Sequence, residues 1–108
     1  DMSSGGNTTF VGGIWAVSVT ETSDSRLKTN VQTIGSALTK VNQMRGVSYD
    51  RIDGSYSGYG LIAQELESIV PGLVSDYSEH KSIAYSQMAG YFVEAIKELT
   101  TRVIALED

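Results

Sequence analysis

The sequence predicts an α+β fold: a small domain of short strands and short helices, closed by a long C-terminal helix and preceded by a β-rich run. Three observations predict it. Residues 1–22 are rich in Gly, Ser and Thr and nearly free of charge, with strand-forming pairs set between glycines. The middle of the chain alternates brief apolar runs with turn signals such as Asp53-Gly54 and Pro71-Gly72. From Tyr85 onward, apolar side chains recur at alternating steps of four and three residues, the spacing of a helix with one apolar seam.

The totals narrow the function. A chain of 108 residues makes one small domain. A monomer of that size buries only roughly two-thirds of its unfolded surface, so oligomerisation is a natural source of further core. The net charge of −5, from 13 acidic and 8 basic side chains, argues against a nucleic-acid partner, whose binders carry basic patches. The absence of cysteine excludes disulfides and thiolate metal sites, and a single histidine excludes a His-rich one. No metal or other cofactor is expected. The apolar runs are too short to span a bilayer, so no membrane partner is expected. Asp1-Met2-Ser3-Ser4 is not a signal peptide and reads as the continuation of a longer polypeptide.

Taken in order, Phe10-Val11, Ile14-Trp15 and Val17 to Thr20 have strand character, with Gly12-Gly13 as a break. Val31 and Ile34 read as apolar anchors. Gly35 or Ser36 is placed to cap a helix whose apolar face is Ala37, Leu38, Val41 and Met44, with Gly46 as its stop. Val47 to Ile52 alternates as a strand does, and Asp53-Gly54 turns it back into a second strand or loop at residues 55–60. Residues 61–70 read as a helix ended by Pro71. Leu73 to Ser75 is a short strand, Asp76 to Lys81 a polar turn, and residues 81–85 a returning strand or helix start. The final helix is expected over Ser86 to Asp108. Tyr85, Ala89, Phe92, Ile96, Leu99, Val103 and Leu106 form its seam, flanked by Glu94, Lys97, Glu98, Arg102 and Glu107. Such a helix either packs on its own domain or self-associates as a coiled coil, the second being preferred. The residues at the seam do not settle the number of strands.

The stretch Ser23-Asp24-Ser25-Arg26-Leu27-Lys28 falls where composition changes. A serine hydroxyl becomes nucleophilic when a base takes its proton, and a desolvated lysine can be that base. Ser23 and Lys28 are five residues apart, which is not a same-face helical spacing, so a turn must bring them together. On spacing alone, a solvated polar loop explains the same residues.

Ser23 to Val31 resembles the S-D-x-R-x-K-x-N/D-I/V motif that opens the peptidase S74 family. This is the C-terminal intramolecular chaperone domain of endosialidase-type phage tailspikes, fibres and neck appendages. Gly60-Leu61-Ile62-Ala63-Gln64-Glu65-Leu66, running on to Pro71-Gly72-Leu73-Val74, is similar to the family's G-F/L-I-A-Q-E block. Tyr85 and Ala95-Ile96-Lys97-Glu98-Leu99 resemble its closing helix. The resemblance implies residues 1–22 as the end of a β-rich trimeric stalk and residues 23–108 as a self-cleaving trimerisation domain. It implies a homotrimer acting on the upstream stalk of its own polypeptide in the cytoplasm of an infected host cell. It also implies release by autoproteolysis at the Ser23–Asp24 junction, with Ser23 as nucleophile and Lys28 as general base, and absence of the released domain from the mature virion. Attack by Ser23 Oγ on its own carbonyl needs a strained four-membered ring, whereas attack on the Thr22 carbonyl passes through a five-membered one. The side of Ser23 that is cut therefore stays open.

Supporting roles are assigned with their plainer alternatives. Asp24 either orients Lys28 or forms an Asx-type turn. Arg26 either grips a carboxylate such as Glu65 or is a surface charge. Gln64 and Glu65 either bond near the cut or serve the helix structurally. His80, in a polar turn, either assists the dyad or is simply exposed. The alternatives to self-cleavage are a non-cleaving trimerisation module, a receptor-binding fibre tip, and the cleavage domain of a membrane-bound transcription factor.

Overall fold

A computed structural model describes residues 13–107. The chain divides into two units, with the break between Val31 and Gln32. Among the described residues of the first unit there is one regular element, a 3-10 turn over Ser25–Leu27. The strands expected at Ile14-Trp15 and Val17 to Thr20 are not formed, and Ile14, Trp15, Val17 and Val19 are all exposed, Trp15 at 97%. A lone extended segment has no partner for its N–H and C=O groups, so strand-forming residues by themselves make no sheet. Phe10-Val11 lies outside the described residues. Val31 is exposed and does not act as an anchor.

The second unit carries the α+β fold. Helix α1, Ala37–Gln43, begins after Ser36, which sits in the left-handed region at φ 55° and makes no side-chain cap. The cap comes from the far end of the chain. Glu98 accepts from the Ala37 N–H through Oε2 at 2.9 Å and from the Leu38 N–H through Oε1 at 3.5 Å. These are two of the amides that a helix start leaves without an internal partner. Ala37 and Leu38 are buried with Ala95, and Ile34, Val41 and Tyr91 pack around them. The helix ends at Gln43, with Met44 already extended, ahead of the stop expected at Gly46.

Strands β1, Val47–Asp50, and β2, Ser57–Gly60, pair antiparallel, with Val47 opposite Gly60 and Asp50 opposite Ser57. The turn between them centres on Asp53-Gly54, as expected. Gly54 takes φ 76°, open to glycine at little cost, and its N–H donates to the Arg51 carbonyl at 2.9 Å. The ladder stops short of Ile52, which is fully exposed.

Helix α2, Ala63–Glu67, is shorter than the expected 61–70, because Ile62 is extended and Pro71 opens a separate 3-10 turn, Pro71–Leu73. Leu66, Val70 and Leu73 from this region, with Met88, form the main core, against which Met44, Leu61 and Ile83 pack. Strands β3, Val74–Ser75, and β4, Ser82–Ile83, form a second antiparallel pair. Lys81 bridges Asp76 at 3.1 Å and Glu67 at 3.2 Å, which ties the polar turn to α2.

A 3-10 turn, Tyr85–Met88, leads into helix α3, the 19 residues Ala89–Glu107. Its first half has two apolar faces about a quarter of a turn apart. Met88, just ahead of the helix, and Ala95 are buried at 1% and 5% exposure, and Tyr91 and Glu98 share their side. The seam read from the sequence is a different face: Phe92, Ile96, Leu99, Val103 and Leu106 are 43 to 87% exposed. Tyr85 belongs to the 3-10 turn and leaves the seam, its hydroxyl bonded to the Leu61 backbone at the surface. Among the described residues no helix is long and apolar enough to cross a membrane.

Replacing Glu98 by Ala strips the start of α1 and is expected to cost about 1–2 kcal/mol, lowering Tm by about 4–8 °C per kcal/mol. Glu94→Ala, which removes a pair with Lys97 three residues on, is expected to cost less than about 0.5 kcal/mol. Thermal and urea unfolding of the two variants check the contrast.

Candidate functional site

The polar stretch of the first unit folds on local rules. Asp24 is the N-cap of the 3-10 turn, extended at φ −78° and ψ 130°, and its Oδ1 accepts from the Arg26 N–H at 2.9 Å. The Leu27 N–H then donates to the Asp24 carbonyl at 3.0 Å and the Lys28 N–H to the Ser25 carbonyl at 3.2 Å. This one tight turn shortens the path between its flanks. Ser23 and Lys28 consequently meet: Lys28 Nζ donates to Ser23 Oγ at 2.6 Å, at the surface. The contact is made within a single chain. In this direction of donation the serine keeps its own proton.

Asp24 and Arg26 form a second pair beside it. Arg26 Nη2 donates to Oδ2 at 2.6 Å, and Nε is shared between Oδ1 at 3.1 Å and Oδ2 at 3.2 Å, a two-pronged grip. The Arg26 side chain, helped by its backbone N–H, holds the Asp24 carboxyl below the usual carboxylate range, and Asp24 raises the guanidinium in turn. The expected partnership of Arg26 with Glu65 is not the one formed. A cation two residues from an N-cap carboxylate reaches it with little loss of freedom, and Glu65 has its own arginine.

That arginine is Arg45, whose Nη2 and Nε donate to the two Glu65 oxygens at 2.6 Å and 3.1 Å. The pair holds Glu65 below the usual range. It closes the end of α1 onto α2 and is structural. Gln64 is exposed on α2 and, with His80 and Arg51, lines an open cavity of about 690 Å³. His80 is exposed in the turn before β4.

The Gly60-Leu61 pair has a physical explanation. The Tyr85 hydroxyl accepts from the Leu61 N–H at 2.9 Å and donates to the Leu61 carbonyl at 3.4 Å. A Cβ at Gly60 would run into that hydroxyl, so the site admits glycine alone without rearrangement. The sequence offered no signal for the pairing of Arg45 or for the bond of Tyr85 to Leu61, since their partners lie 20 and 24 residues away.

Comparison with known proteins adds an independent line. Residues 23–75 match the sequence model of a family described as chaperone of endosialidase, peptidase S74. The chain is also 34% identical over 97 aligned positions to the long tail fiber protein Gp37 of Enterobacteria phage K3, and equally to that of phage T2. These alignments take in 79% of this chain but only 8% and 7% of the two relatives, so the chain spans less than a tenth of their length.

A carboxyl held low in the folded chain contributes order that is fully present above its unfolded value and is lost as pH falls through its folded value. Carbon-detected NMR is expected to find Asp24 titrating below an ordinary aspartate, with the turn loosening only in that acid range. Arg26→Ala is expected to raise Asp24 toward the ordinary range without reaching it, since the backbone N–H of residue 26 still donates to the carboxylate.

Proposed function

Because residues 23–75 make this chain a member of the chaperone-of-endosialidase family, we propose that it is the intramolecular chaperone end of a phage tail fibre, which trimerises, registers its upstream stalk and then cuts itself free. The observation that carries this reading is the 2.6 Å contact between Lys28 Nζ and Ser23 Oγ inside the matched segment. The names of the two relatives support the fibre context.

The proposed order of events follows from the physics. Interdigitated β-structure built from three chains is dominated by non-local contacts and nucleates slowly. Association through the α3 seam raises the effective concentration of the three stalks. Once folded, the stalk is held by its unfolding barrier, and the domain can leave. Ser23 and Lys28 already touch in one chain, so assembly gates the proton and not the distance. Packing of neighbouring chains over the exposed pair desolvates Lys28 and favours its neutral form. Lys28 then accepts the Ser23 hydroxyl proton and Oγ adds to a backbone carbonyl at the junction. The C–N bond breaks, the departing amine takes the proton back from Lys28, and water hydrolyses the ester. Assembly takes place in the host cytoplasm, and the released domain is absent from the mature virion.

An intact-mass time course of the chain joined to its upstream stalk tests this reading. The wild type is expected to yield two products, whose masses tell by one serine residue which side of Ser23 is cut. Ser23→Ala and Lys28→Ala are expected to stay whole and still trimerise. Cutting of Ser23→Ala at the wild-type rate would sink the dyad.

A second reading, a trimerisation module that does not cut, is favoured by the seam itself, which is exposed and apolar whatever happens at Ser23. Both readings need it. Ile96→Asp with Leu99→Asp is expected to convert the trimer to monomer in analytical ultracentrifugation while far-UV circular dichroism holds, because neither residue belongs to the buried core. A wild type that trimerises and yields one uncut band selects this second reading.

A further inference from the structure

We propose that Arg26 is a positioning residue for the dyad: by filling the Asp24 carboxylate it keeps that carboxylate off Lys28 and leaves the lysine to Ser23. The inference rests on the self-cleavage reading above and names a residue that this reading does not itself use.

The geometry makes the case. An ionised carboxylate has about four acceptor sites. Arg26 directs three donors at it: its backbone N–H to Oδ1, Nη2 to Oδ2, and Nε shared between the two. Asp24 stands four residues before Lys28 and one after Ser23, at the same tight turn. A carboxylate left loose there would compete with a serine hydroxyl for the same ammonium, and an ion would win over a neutral oxygen. An amine paired to an anion is held in its charged form and cannot take a proton from serine. The planar fork of arginine fits both oxygens at once, while an ammonium is a point donor and leaves sites open. Arg26→Lys is therefore expected to behave as Arg26→Ala does.

The test is a rescue. Cleavage is followed by intact mass in the full chain with its stalk, for the wild type, Arg26→Ala, Asp24→Asn and the double variant. Asparagine keeps the cap, since it serves at this position as well as aspartate. Arg26→Ala is expected to cut about tenfold slower, by holding Lys28 charged. The double variant is expected to cut at the rate of Asp24→Asn and faster than Arg26→Ala, because Arg26 has nothing to shield once the carboxylate is gone. A role limited to turn stability predicts no rescue. A wild-type rate for Arg26→Ala, or a double variant as slow as Arg26→Ala, overturns the proposal.

A second arm needs no cleavage. In a Ser23→Ala background, Asp24 is titrated by NMR with and without Lys28→Ala. Loss of Lys28 is expected to leave Asp24 unmoved while Arg26 is present, and to raise it once Arg26 is alanine. An equal response in both backgrounds shows no shielding and overturns the proposal. If the wild type does not cut at all, the self-cleavage reading fails and takes the positioning role with it, and this arm still decides whether Arg26 shields Lys28.

Discussion

Two hydrogen bonds from Glu98 to the start of α1 hold the second unit in its arrangement. Helix α1 has seven residues, far fewer than an isolated helix needs to persist in water. It opens from a left-handed serine whose side chain caps nothing. Its first amides are answered from α3, at a sequence distance of 61 residues, and the buried Ala37 and Leu38 lie directly at that contact. Pinning α1 there assigns the side of α3 that carries Ala95 and Glu98 to the interior. Since a helix has only one circumference, the seam is left to face outward.

What could be read in the sequence was what depends on neighbours in the chain. The period of α3, the Asp53-Gly54 turn, the short strand before the Asp76 turn and its return, and the Asx-type role of Asp24 all rest on residues within one or two turns of each other. What could not be read depends on distance or on a missing partner. Glu98 looks like any flanking charge on a helix until α1 is laid beside it. Arg26 was expected to grip a carboxylate such as Glu65 or to be a surface charge; it grips Asp24 while Glu65 takes Arg45, because nothing local ranks one arginine over another. The strands before Ser23 failed for the complementary reason: Ile14 to Thr20 have the residues for a sheet but no second strand among the described residues. Pro71 was read as a stop for the preceding helix and instead starts a turn of its own, which took Val70 and Leu73 into the core by a different route.

The candidate site follows the opposite logic from the core. Nothing in Ser23 to Lys28 is buried, and every bond described there is made within five residues. Such a turn forms early and cheaply, and it brings the serine and lysine together without help from the rest of the fold. The family match spans this turn and the α2 region alike. In the proposed function the two parts answer to one event, the arrival of other chains, which covers the seam and the turn.

The two faces of α3 also have a consequence for rates. A helix already packed on its own domain meets its copies as a rigid body, with its backbone ordered before the encounter. Partners that must fold as they bind give up several kcal/mol of their interaction in ordering. In the proposed function most of that ordering is complete within each chain before association, which leaves the apolar area of the seam for holding copies together. Docking of preformed surfaces proceeds at the ordinary rates of protein association. In the proposed function, the slow step of assembly thereby falls in the stalk and not in this domain.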